Sequence, residues 1–270
     1  LFANGGTPSG GVAGVKFSAF SITERDPDRS VNGKGLVVHG TIPRTPVATG
    51  AELVASGPFG SDKYYTQPYN PALNFGSGDM SILGWARSLT TTASTQGIIH
   101  RLDSSERGWR IDRATSGSIS NKLCLNVIFR TSTGATLVNT GRPGTEMNAG
   151  IWNMIGLVRK DGVVYIAFNG LLLPSGTNAG DLDSVAEEPE IVMGRDNVTD
   201  NEMQCALWKP SATAPNPEQL AKWYREEKPL FQPGAACTLW GTSDAVADLD
   251  GCDIDGLTRV VTSGAGGGLS

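Results

Sequence analysis

The chain has 270 residues, a formal charge of −5 and 18% charged residues. Mild acidity without clustered Lys and Arg argues against a general nucleic-acid surface, and no apolar run approaches the roughly 20 residues of a membrane-spanning helix. The 35 glycines and 15 prolines follow no collagen-like period, so with few long helical patterns they favour an all-β protein rich in turns. A Leu at position 1 and a Gly-Gly-Gly-Leu-Ser ending lead us to expect a piece of a longer polypeptide, with no signal peptide in view.

Taken in order, residues 1–15 are Gly-rich and read as a linker. Residues 15–22 alternate as a strand does, and residues 36–42 (LVVHGTI) read as the next strand, carrying His39. No Asp, Ser or Cys is identifiable as a catalytic partner for that histidine, so it reads as a polar residue on a half-buried strand. Residues 43–60 form a Pro/Thr/Ala/Gly-rich connection with one short strand at 53–55. Residues 80–87 (MSILGWAR) alternate again, with Trp85 as a core anchor. Further strands are expected at 97–101, 109–113 and 123–129, where Leu123, Leu125, Val127 and Phe129 share one face. Another is expected at 136–138.

The stretch 151–174 (IWNMIGLVRKDGVVYIAFNGLLLP) is the most informative. Asp161-Gly162 and Asn169-Gly170 separate three apolar runs, and such dipeptides supply the positive φ of tight hairpin turns. Two reversals in about two dozen residues describe an antiparallel meander. Strands at 190–194 and 203–208 follow. Residues 216–227 break the pattern with a helix-start signature: Asn216 as cap, Pro217 at the first position and Gln219 completing a capping box. We expect a short helix on the rim of the β domain. The tail reads as a hairpin between 246–249 and 257–261 around an acidic turn holding Asp248, Asp250, Asp253 and Asp255. Cys252 falls where a calcium loop needs an oxygen ligand, so that turn is not read as a metal site.

Cys124, Cys205, Cys237 and Cys252 lack C-x-x-C spacing, and His39 and His100 are the only histidines. A zinc site is therefore not expected. Cys124 and Cys205 lie in strand-like segments and read as buried thiols. For chemistry, a glycoside hydrolase needs two carboxylates across one scissile bond. No E-x-D-x-E strand occurs, and Glu187-Glu188-Pro189-Glu190 reads as a solvated turn. Neither a G-x-S-x-G elbow nor a phosphate loop is present.

The span 64–231 resembles a laminin-G-like, or concanavalin A-like, jelly roll. The residues that carry the likeness are Leu73-Asn74-Phe75-Gly76-Ser77-Gly78-Asp79 with Trp85, then Trp152 through Gly170, Ile191–Gly194 and Pro217–Tyr224. The resemblance implies an antiparallel β-sandwich over 61–232 with one short helix near 216–228. An N-terminal linker and β segment (1–60) and a C-terminal β-hairpin (233–270) opening a further region would flank it. A narrower likeness joins residues 226–232 (EEKPLFQ) and 237–246 (CTLWGTSDAV) to laminin-G-containing structural proteins of tailed bacteriophages, and residues 26–41 look like the segment preceding the jelly roll there.

This second likeness implies a non-enzymatic virion protein of a tail fibre, tail tip or surface appendage, attached to host glycans. The alternatives are a purely architectural decoration protein and a glycan depolymerase. Other virion proteins are the implied partners, as a homo-oligomer with a trimer the first guess by analogy. Laminin-G-like rims bind glycans and calcium, which makes Trp109, Asp196, Asn197 and Asp200 the candidate ligand-binding residues, with calcium the one cofactor to consider.

Overall fold

The computed structural model describes residues 35–91, 95–116, 122–131, 136–140, 143–182, 189–195, 202–235, 237–241 and 258–262. Residues 1–35 and 36–270 form separate compact units; Gly35 apart, the described residues belong to the second. Among them are two seven-stranded sheets. The first runs in the order β1 (Val37–His39), β4 (Tyr64–Gln67), β13 (Ile191–Met193), β6 (Gln96–Leu102), β7 (Gly108–Ser116), β8 (Lys122–Arg130), β9 (Thr136–Thr140). The second runs β12 (Leu171–Thr177), β11 (Val163–Phe168), β10 (Asn153–Lys160), β5 (Met80–Ser88), β14 (Met203–Ser211), β3 (Val54–Ser56), β2 (Arg44–Pro46). Every strand pairing is antiparallel.

The core follows from period-two alternation. Met80 and Ile82 of β5, Ile155 and Leu157 of β10, and Val164 and Ile166 of β11 meet Ile111, Leu125, Val127 and Phe129 of the first sheet, all buried. Each such side chain contributes about 1.5–3 kcal/mol by leaving water. The expected meander is present. Lys160 pairs with Val163 around Asp161 (φ 50°) and Gly162 (φ 74°), and Phe168 pairs with Leu171 around Asn169 (φ 47°) and Gly170 (φ 85°).

One glycine is dictated by packing. Along β14, Ala206 pairs with Trp85 and Lys209 with Leu83, which leaves Leu207 and Trp208 opposite Gly84 in a β-bulge. Leu207 takes φ 53°, and a Cβ on Gly84 would lie 2.3 Å from Cδ2 of the Trp208 ring.

Arg159 occupies an inward position of β10 and is 0% exposed. Its Nε donates to the Gly78 carbonyl (2.7 Å), Nη1 to Gly180 (2.8 Å), and Nη2 to Gly76 (2.7 Å) and Phe75 (3.4 Å). The guanidinium also lies 5.1 Å from the Phe129 ring centroid. A buried cation is tolerated only when it is hydrogen-bonded, and here the acceptors belong to the two loops that enter β5 and leave β12. Close by, the Asp161 N–H donates to Asp79 Oδ1 at 2.9 Å, fixing the hairpin tip to the same loop.

The outer face of the second sheet carries a second apolar layer. Leu83, Trp85, Met154, Val158 and Ala167 pack beneath α1 (Pro217–Glu227), which contributes Leu220, Trp223 and Tyr224. The helix starts as the sequence predicts: Asn216 Oδ1 accepts the Gln219 N–H at 2.7 Å. It lies across the sheet face and not on the rim, because Trp85 points outward. That indole donates to Glu227 Oε2 at 2.7 Å and stacks between Tyr224 (5.7 Å) and Phe231 (4.2 Å).

Other expectations are corrected. The strand over 36–42 is limited to Val37–His39, since Gly40 turns away at φ 64°. With β2 and β3 it extends the sandwich upstream of residue 61. In the tail, β16 (Thr258–Thr262) pairs with β15 (Cys237–Gly241), with Leu239 opposite Val260. Residues 246–249 are therefore not its partner strand; they, the turn at 250–256 and the strand expected at 15–22 lie outside the described residues. Cys124 and Cys205 are buried and in no disulfide, as expected.

Two outcomes follow. Arg159→Met removes one donor from each of four carbonyls, of which Phe75 and Gly76 keep the N–H groups of Gly78 and Leu182, and should cost about 3–5 kcal/mol in denaturant unfolding; a loss below about 1 kcal/mol would contradict the bracing role. Burial pushes the Cys205 thiol up to about 12, against a smaller opposing effect of the Trp208 hydrogen bond. A thiolate is the reactive form and both side chains are buried, so Cys124 by its burial and Cys205 by burial and raised thiol should resist a maleimide in the native chain and react in denaturant. Rapid native labelling of either, read by mass spectrometry, would contradict this.

Candidate functional site

The two sheets differ on their outward sides. The second is covered by α1 and by an apolar cluster of Val47, Ala51, Ala55 and Ala206. Among the described residues no hydrophobic cluster covers the outer side of the first sheet. There the strand registers align one continuous row: Val37 with Thr66, Thr66 with Val192, Val192 with His100, His100 with Arg110, Arg110 with Ile128, and Ile128 with Val138. Side chains on a row across a sheet stand about 5 Å apart, so Val37, Thr66, Val192, His100, Arg110 and Ile128 form a band over six strands, in which Val37 is exposed, Thr66 is buried and the other four are half-buried.

Beside the band at the β1 edge sits an aromatic corner. The His39 ring stacks on Tyr64 at 4.2 Å, and its Nε2 lies 3.0 Å from Thr66 Oγ1. The Arg195 guanidinium lies 4.6 Å from the Tyr64 ring centroid, within cation–π range. At the centre of the sheet, Arg110 Nε donates to Asp112 Oδ1 at 2.6 Å and Asn126 Nδ2 reaches Asp112 Oδ2 at 3.3 Å. Asp112 is only 1% exposed, so the band shows its cation and hides its carboxylate.

At the far end, the turn between β6 and β7 is locked by Asp103. Its Oδ1 accepts the N–H groups of Ser105 (2.9 Å) and Arg107 (2.8 Å), and its Oδ2 accepts Arg107 Nε (2.7 Å). Burial alone would raise this carboxyl. The Arg107 and Ser105 hydrogen bonds and the Arg107 charge outweigh it and hold the group below the usual carboxylate range.

The candidate residues named from sequence fall as follows. Trp109 is corrected. It shares the phase of Ile111, points into the sandwich and is 1% exposed, so it is core and offers no face to a sugar. Asp196, Asn197 and Asp200 lie outside the described residues. Arg195, which opens their loop, is described and packs on Tyr64, at the edge of the open band. Among the described residues no three His, Cys, Asp or Glu side chains are grouped to hold a metal ion.

His39, Tyr64, His100 and Arg110 were not singled out as site residues. Their signal was present in the alternation of residues 109–113, where Arg110 and Asp112 interleave Trp109 and Ile111. It names the outward face but not which sheet stays open.

No protein-family model matches the sequence, and no curated protein matches it. Solved structures do. The binding domain of Paraclostridial Mosquitocidal Protein 1 is 14% identical, aligns over 83% of this chain and 56% of its own, and gives a TM-score of 0.61. The receptor binding domain of botulinum neurotoxin C/D mosaic serotype is 16% identical over 73% of this chain and 48% of its own, with a TM-score of 0.54. The botulinum neurotoxin serotype D binding domain is 13% identical over 87% and 60%, at 0.55. The chain thus spans about half the length of these structures. At such identities the likeness is one of fold, and that fold is the antiparallel β-sandwich expected from the sequence.

A group whose folded pKa is depressed stabilises the fold above its unfolded pKa and loses that contribution as pH falls through the folded one. NMR titration of Asp103 should give a midpoint below the ordinary value of about 3.9, and Asp103→Asn should blunt the acid loss of stability. A midpoint at or above the ordinary value would contradict the turn lock.

Proposed function

We propose that this chain is a non-enzymatic attachment module of a bacteriophage virion appendage, binding a glycan of the host surface through the outer face of its first sheet and the loops beside it. The observation that carries the reading is the half-exposed row of Val192, His100, Arg110 and Ile128, with exposed Val37 at its edge, on a sheet whose counterpart is roofed by helix and aromatics. A rigid sandwich suits this role because backbone and side chains are positioned before the ligand arrives, which lowers the cost of binding. The sandwich is of the kind found in toxin binding domains, which supports attachment as the general role. The phage assignment rests on the likeness of residues 226–246 to laminin-G-containing virion proteins.

In this reading residues 36–232 are the attachment unit and the β15–β16 hairpin leads into a further region. The chain acts on the particle surface beside other virion proteins, as a symmetric homo-oligomer. The sequence lacks an alternating carboxylate strand, which disfavours the depolymerase alternative. A decoration protein would share the fold but leave the band without a ligand.

Adsorption separates these. The full chain should compete with phage for susceptible cells and bind host-surface polysaccharide saturably, and Tyr64→Ala should weaken binding by about tenfold, equivalent to about 1.4 kcal/mol. Absence of saturable binding would leave only the architectural role. Oligosaccharide release from the polysaccharide, read by mass spectrometry, would overturn the non-enzymatic assignment.

A further inference from the structure

The edge of a β-sheet presents a row of unpaired N–H and C=O groups, and folded chains guard such edges with proline, charge or a covering element. The edges of the two sheets here are not guarded alike. β12 contains Pro174 and β2 ends on Pro46, and each proline removes an N–H donor from its edge. β1, at one end of the first sheet, reads Val37-Val38-His39, with neither proline nor a carboxylate, lysine or arginine. Among the described residues it pairs with β4 alone. Leu36, Val37 and Val38 are all exposed there.

Val38 is exposed on the side of the sheet that should be dry. It pairs with Tyr65, so it shares the side that faces the core, where Tyr65 is buried. The Tyr65 hydroxyl donates to Ser56 Oγ of β3 at 3.0 Å, which identifies the inward side of the second sheet at that end. Val54 stands two residues from Ser56, on the same side by period two. Val38 and Val54 thus both look inward, yet they are 53% and 46% exposed, and neither belongs to a hydrophobic cluster among the described residues. The core stops short of the β1 edge.

A free ladder beside an apolar inner margin calls for one more strand, and a second copy of β1 supplies it. Set antiparallel about a twofold axis at Val38, the strand meets itself with Val38 opposite Val38 and Val37 opposite His39. The inward margin gains a second valine, and no like charges are placed opposite each other. The contact uses the same patch on both copies, so it closes as a dimer. Pairing of β1 with β12 or β2 of another copy would meet their prolines instead.

We propose that two copies of this chain join β1 to β1 across a twofold axis, so that their first sheets continue into one another. The proposal rests on the homo-oligomer of the reading above and names its surface; the identity of the ligand does not enter it.

The test is sedimentation velocity of the full chain over a wide concentration series, which should show a reversible monomer–dimer equilibrium. Val38→Lys places two charges face to face in the joint and should raise the dimer dissociation constant at least tenfold, about 1.4 kcal/mol or more. Leu36→Lys, just outside the strand, should act in the same direction, so the inference stays testable if Val38→Lys unfolds. Leu171→Lys, equally exposed on the β12 edge, should leave the equilibrium unchanged. A chain that stays monomeric at every concentration would overturn the inference and the homo-oligomer together. An oligomer indifferent to both Val38→Lys and Leu36→Lys would overturn this surface and leave the homo-oligomer standing. Open-ended growth that Val38→Lys abolishes would assign β1 to a different edge of the next copy and overturn the twofold dimer.

Discussion

A single buried cation joins the parts of this sandwich that have no sheet hydrogen bonds of their own. Arg159 enters the core from β10 and spends its donors on the carbonyls of Phe75, Gly76, Gly78 and Gly180. Phe75 and Gly76 also accept the N–H groups of Gly78 and Leu182, but without Arg159 the Gly78 and Gly180 carbonyls would lose their donor beside an apolar interior, at a cost of about 1–3 kcal/mol each. The same device recurs elsewhere. Arg101, also buried, donates to the Leu73 and Pro189 carbonyls and to Asn74 Oδ1. Arg113 donates to Ser88 Oγ and the Thr90 carbonyl. Inward arginines thus fasten irregular chain to the regular strands.

That bracing bears on function because it stiffens the first sheet, whose outer side carries no hydrophobic cluster among the described residues. The second sheet gains rigidity from the helix, from Trp85 between Tyr224 and Phe231, and from Trp152, whose indole donates to the Val47 carbonyl. The first sheet relies on its ladder, on the core beneath it and on the Asp103 and Arg101 locks at its turns. A preorganised face loses little conformational freedom on binding, which suits the attachment role proposed above.

Much of this was legible in the sequence. Asp161-Gly162 and Asn169-Gly170 declared their turns through the positive φ they tolerate, and the alternation over 123–129 declared its inward face. Asn216 and Pro217 declared the helix start. What was hidden depends on contacts distant in sequence. Nothing local tells that Gly84 is bare because Trp208, over a hundred residues later, lies on it. The tail hairpin was misplaced because 246–249 and 237–241 are both strand-like, and only register distinguishes them. Trp109 could be read as surface or core from its turn-adjacent position; its shared phase with Ile111 decides for the core. The binding face itself was not legible, since a period-two pattern separates inside from outside without saying which outside is roofed.

The most direct test is backbone amide exchange of the full chain with and without host-surface polysaccharide, read residue by residue. The account requires new protection to centre on β4, β6, β7 and the chain around Arg195, with α1 unchanged. Protection centred on α1 and the outer side of the second sheet, with the first sheet unaffected, would contradict it.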